Sequence, residues 1–67
     1  MTPEKIEVGT VLICGLTIVC ILSLDERNHK IDAFVTTTSG TSKTTWNIAN
    51  HDWFDLKTWI RHGYKLL

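Results

Sequence analysis

Val8 to Leu24 runs for seventeen residues without a charged side chain. Length alone puts this run at the lower limit for a membrane-spanning helix, about 17 residues. Its composition points elsewhere. Gly9, Thr10, Gly15, Thr17 and Ser23 interrupt it, and its many Val and Ile residues favour extended chain. The flanks are acidic on both sides, Glu4 and Glu7 before and Asp25 and Glu26 after, and no Lys/Arg cluster sets an orientation. A secretory leader fits no better, because Glu4 and Glu7 spoil the basic start it needs. The run is therefore expected to form two adjacent strands, Glu7 to Cys14 and Leu16 to Leu24, broken by Gly15. A single-pass membrane helix over 8–24 is the competing reading. Ahead of the run, Met1 to Lys5 is a polar lead-in whose Pro3 disfavours a central strand.

Side chains alternate between the faces of a sheet. In the second strand Leu16, Ile18, Cys20, Leu22 and Leu24 fall on one side and are expected to face the core. Thr17, Val19, Ile21 and Ser23 fall on the other, polar at its ends and apolar in the middle. Asp25 to His29 is a polar break of hairpin-loop length. A third strand, Lys30 to Thr37, turns Ile31, Ala33 and Val35 inward and leaves Phe34 as an aromatic among polar neighbours. Thr38 to Lys43 reads as a polar loop. A fourth strand, Thr44 to Ala49, carries Trp46 and Ile48 inward.

The hydrophobic period then changes from two to 3.6. Asn50 is a good N-cap, with Asp52 and Asp55 in the first turn, where the helix dipole favours negative charge. Trp53, Leu56 and Ile60 share one face, with Trp59 beside them. Arg61 and His62 close the last turn and Gly63 suits the position just past it. The spacing predicts a helix over 51–62, and Tyr64 to Leu67 adds a final short strand. Together these elements predict one domain over 1–67, mainly β with one C-terminal helix. The architecture expected is a small antiparallel curled sheet or SH3-like barrel of four to five strands.

Composition narrows the chemistry. At 43% hydrophobic and 21% charged the chain is globular rather than disordered, and at 67 residues it is too short to enclose a deep substrate pocket. Cys14 and Cys20 sit at apolar strand positions and read as small hydrophobes. Their spacing matches no zinc-ligand pair. His51 and Asp55 lie four apart, within bridging distance of a metal on one helix face, yet two ligands make no strong site; no metal and no cofactor are expected. Ser39 to Thr44 lacks the spacing of a phosphate-binding loop, and Ser23, Ser39 and Ser42 lack the context of a nucleophile elbow. An enzyme is not expected.

Formal charges cancel at seven and seven, which argues against non-specific binding to nucleic acid or anionic lipid. The distribution is uneven, however: the first half is acidic and the second, with Lys43, Lys57, Arg61 and Lys65, is basic. Lys57 and Arg61 share a helix face. With Phe34 as a stacking platform they make a candidate nucleic-acid-binding set.

Trp46, Trp53, Phe54, Trp59 and Tyr64 crowd into the last third of the chain, more aromatic bulk than a small core needs. Trp and Tyr carry many binding hot spots, usually with Arg, and Phe34, Phe54, Trp59 and Arg61 are the candidate protein-binding residues. The alternative for Phe54 and Trp59 is that they widen the core. The leading expectation is a non-catalytic, cytoplasmic protein-binding module that occupies a surface of a larger partner. In size and character it resembles the small regulatory or inhibitor proteins of bacteriophages and mobile elements. A homodimer is a further candidate assembly, through Val19 and Ile21 or through an exposed sheet edge. The alternative is a small β-barrel that binds nucleic acid.

Overall fold

A computed structural model describes residues 4–67; the lead-in with Pro3 lies mostly outside them. The protein is mainly β. Strands β1 (Val11–Cys14), β2 (Thr17–Asp25), β3 (Lys30–Thr37) and β4 (Gly40–Asn47) form an antiparallel meander. After a 3-10 turn (His51–Phe54) and helix α1 (Leu56–Arg61), strand β5 (Lys65–Leu66) pairs with β1. The order across the sheet is β4-β3-β2-β1-β5, with β4 and β5 as its two edges. The sheet is not closed into a barrel. The helix is short and lies before the last strand rather than at the C-terminal end. The uncharged run 8–24 supplies β1 and β2, and no helix among the described residues is long and apolar enough to cross a membrane.

Turn chemistry sets the register. Gly15, at φ 61, takes the first central position of the two-residue β1–β2 turn, where a type II′ hairpin calls for glycine. The β2–β3 turn, Glu26 to His29, is organised by Asp25. Its carboxylate accepts Asn28 N–H at 3.1 Å and Asn28 Nδ2 at 2.8 Å. The Asn28 side chain first, then its backbone N–H, holds the Asp25 carboxyl below the ordinary 3.8. His29 completes the turn at φ 55, the left-handed region that non-glycine residues rarely occupy. The β3–β4 turn is only Thr38–Ser39, so β4 starts four residues earlier than the polar composition of 40–43 implies.

The core corrects the expected facing of β2. Val19 and Ile21 are buried, whereas Ile18, Cys20 and Leu22 are half-buried and Leu16 stands in solvent. The register of β2 against β3 slips between Ile21 and Ser23. Leu22 is the extra residue of a β-bulge, which shifts the facing by one position. Leu24 is thereby brought to the inner side, opposite buried Ile31, and packs on the core. Inner-facing Leu12, Val19, Ile21, Ile31 and Ala33 make one cluster with Ile6, Ile48, Phe54, Leu56 and Trp59.

The helix expected over 51–62 is two pieces. Asn50 does cap the first, accepting from Asp52 N–H at 2.9 Å. At Asp55 the backbone is extended (φ −92, ψ 135). The cause is distant in sequence: Ile6 N–H donates to Phe54 O at 3.1 Å and Leu56 N–H to Glu4 O at 3.0 Å, around a Lys5–Asp55 bridge. The N-terminal segment thus takes the backbone groups a continuous helix would use. The break resets the helical phase. Phe54, Leu56, Thr58 and Trp59 are buried, Trp53 is half-buried, and Ile60, expected inward, is exposed. Gly63, at φ 98, ends α1: Gly63 N–H bonds Ile60 O and Tyr64 N–H bonds Trp59 O, each at 3.0 Å. That is the Schellman pattern.

Candidate protein-contact surface

The outer face of the sheet is built from residues that alternate with the core positions. One row across it reads Val11, Cys20, Phe34 and Lys43, and the next reads Lys65, Ile13, Ile18, Thr36 and Thr41. Ser23, Asp32 and Thr45, then Asp25, Lys30 and Asn47, continue it as polar rows. The outer face therefore carries an apolar patch of Val11, Ile13, Ile18, Cys20 and Phe34. Phe34 is 42% exposed and the other four are half-buried. Lys43 stands at one end and Lys65 at the other. Asp32, beside the patch, accepts the Thr45 hydroxyl at 2.6 Å.

Of the residues singled out from the sequence, Phe34 lies on this patch. Phe54 and Trp59 do not: they are 1% and 3% exposed and belong to the core. The ring of His51 covers Phe54 at 5.1 Å. Trp59 is the hub of an aromatic cluster, with Trp53 at 5.2 Å, Tyr64 at 5.0 Å and Trp46 at 5.8 Å, and its Nε1 donates to Trp53 O at 2.7 Å. The extra aromatic bulk is thus spent on widening the core, which leaves neither ring available as a surface anchor. Arg61 and Lys57 are exposed on α1. The buried side of α1 joins the inner face of the sheet, so these cations lie across the sheet from Phe34. The candidate nucleic-acid set of Lys57, Arg61 and Phe34 is not brought onto one surface. Val19 and Ile21 are core as well, so they offer no surface to a second copy.

Val11, Ile13, Ile18 and Cys20 are the surface residues that strand alternation missed. Their signal was present: the second strand is apolar at both parities through Ile18 to Leu22, so one apolar set had to face outward. Cys14 and Cys20 are free, and Cys20 faces outward while Cys14 Sγ lies beside Gly63. Glu26 binds Lys5 Nζ at 3.2 Å and stands 3.8 Å from His51 Nε2, with the ring of His29 edge-on to His51. His51 is thus turned toward the β2–β3 turn. Among the described residues no three His, Cys, Asp or Glu side chains gather to hold a metal ion. Comparison with protein-family models, with curated proteins and with solved structures finds no match.

Proposed function

We propose that the chain is a non-catalytic protein-binding module whose contact surface is the outer face of the sheet around Phe34. The observation that carries this reading is the apolar patch of Val11, Ile13, Ile18, Cys20 and Phe34, which spans three adjacent strands away from the core. Exposed apolar patches rimmed by polar residues mark interaction sites. Here Lys43, Lys65, Asp32 and Thr36 form the rim. A regulatory or inhibitory role on a larger cytoplasmic partner goes with that reading. Four meandering strands, a 3-10 turn and a last strand back on the first support grouping the sheet with SH3-like domains, a kinship that carries no function by itself.

The test is capture from a lysate with tagged wild-type protein and with Phe34→Ala, each with and without nuclease. The proposal expects a stoichiometric protein that survives nuclease and is lost with Phe34→Ala, as a hot-spot truncation of about 2 kcal/mol or more implies. The melting temperature of the variant should stay unchanged. Retention of the same partner by Phe34→Ala would refute the surface. Recovery that vanishes with nuclease would replace a protein partner by nucleic acid.

A further inference from the structure

The two edges of the sheet differ. β5 is two residues long, whereas β4 runs eight residues from Gly40 to Asn47. Edge strands are ordinarily blunted by Pro, bulges, charged side chains such as Lys, or shortness. β4 has no Pro and one charge, Lys43, and its register against β3 is unbroken from Lys30↔Asn47 to Thr37↔Gly40. The direction of its free backbone groups follows from one bond. Ile48 N–H donates to His29 O at 2.6 Å, one step beyond the Lys30↔Asn47 pair. Antiparallel ladders alternate hydrogen-bonded and open pairs. Gly40, Ser42, Thr44 and Trp46 therefore bond to β3, while Thr41, Lys43, Thr45 and Asn47 aim their N–H and C=O groups at the open side.

We propose that this edge pairs with a second copy of the chain, β4 against β4, antiparallel and centred on Thr44. Side chains directly opposite in an antiparallel pair share a face, so a two-fold pairing that keeps both cores on one side must be centred on a residue. Lys43 and Thr44 are the centres that give the longest overlap. Centring on Lys43 sets two ammonium groups directly opposite each other, which is destabilising. Centring on Thr44 pairs Lys43 with Thr45 of the second copy and Thr41 with its Asn47. Every outward N–H and C=O of the four odd-numbered residues then has a partner. Each Lys43 also comes two strand spacings, about 10 Å between backbones, from Asp32 of the second copy, within salt-bridging reach of the two side chains. The Thr45 hydroxyl holds one oxygen of Asp32, which leaves the second for the ammonium group. The edge adjoins the Phe34 patch and shares Lys43 and Asp32 with its rim, but the pairing is made by backbone groups of β4 and not by the apolar side chains, so its failure would leave that reading intact.

Sedimentation velocity of the intact chain from about 10 µM to about 1 mM reads the assembly, a range that brackets associations of about −4 to −7 kcal/mol. The expected result is a shift from monomer to dimer mass. Lys43→Glu should raise the dimer dissociation constant about tenfold or more, and adding Asp32→Lys to it should restore association. Amide hydrogen exchange supplies the register. Thr41, Lys43, Thr45 and Asn47 should slow with concentration, while Thr44 and Trp46 stay protected throughout. A monomer at every concentration overturns the proposal. So does a dimer indifferent to Lys43→Glu, or one whose odd-numbered β4 amides stay unprotected.

Discussion

Replacing Phe54 separates a core residue from a surface anchor. Its side chain is 1% exposed, within the core cluster that also holds Ile6 and Leu56, with the ring of His51 at 5.1 Å. A phenylalanine removes about 150–250 Å² from water, which at about 25 cal/mol per Å² corresponds to about 4–6 kcal/mol. Measured truncations of buried Phe to Ala cost about 3–5 kcal/mol. The whole domain, at about 0.05–0.15 kcal/mol per residue, holds only about 3–10 kcal/mol. Phe54→Ala is therefore expected to remove most of the stability. With a melting entropy of about 2.1 cal/mol/K per residue, each kcal/mol moves the melting temperature of this chain by about 7 °C, so the loss is about 20–35 °C. Differential scanning calorimetry reads it directly. Because the Ala variant can fail to fold, Phe54→Leu serves beside it, with an expected loss of about 1–2 kcal/mol. Phe34→Ala is the surface control and should stay within about 0.5 kcal/mol of wild type. A Phe54→Ala protein that loses less than about 1 kcal/mol would refute the placement of this ring and return it to the surface.

Two further outcomes concern the β2–β3 turn. His29→Gly relieves a left-handed residue at φ 55 and, after the entropy glycine adds to the unfolded chain, should raise stability by about 0.5–1 kcal/mol; a lower melting temperature would show that the His29 side chain outweighs its backbone strain. Asp25, whose folded pKa is depressed by the Asn28 side chain and backbone, should titrate below 3.8 by NMR and move back toward that value in Asn28→Ala. Since the depressed carboxyl lends its stability above the unfolded pKa and loses it as pH falls through the folded one, wild type should lose more stability on acidification through that window than Asp25→Asn. Equal pH dependence in the two proteins would show that the Asp25 carboxyl is not depressed by folding, and an Asp25 titration unmoved in Asn28→Ala would remove Asn28 as the cause.

Much of the architecture was legible because strand alternation and turn chemistry are local. The inward set Ile31, Ala33 and Val35, the outward Phe34, the Asn50 cap and the Gly63 stop are each decided within a few residues of chain. The departures come from contacts that pattern cannot carry. Nothing near Leu22 in sequence announces that one extra residue will bulge against Ala33 and Asp32 and reverse the facing of β2. The helical phase of Trp53 to Ile60 is sound as periodicity, yet Glu4 and Ile6 bond to Phe54 and Leu56 and pull Asp55 into extended backbone. That one break turns Phe54 and Trp59 into core and Ile60 out. The contact surface was half legible for the same reason. Phe34 stood out against polar neighbours, while Ile18 and Cys20 were assigned to the wrong side with the rest of their parity.

The cluster centred on Trp59 gives the protein an internal optical gauge. Trp53 and Trp46 lie within 6 Å of it, at interplanar angles of 80° and 51°, a skewed arrangement that couples the indole transitions and makes the near-ultraviolet circular dichroism strong and geometry-dependent. The three rings come from β4, the 3-10 turn and α1. Loss of fixed packing with secondary structure retained would erase that signal while leaving the far-ultraviolet spectrum standing. Loosening between the sheet and the segment that covers it is thus visible without any label.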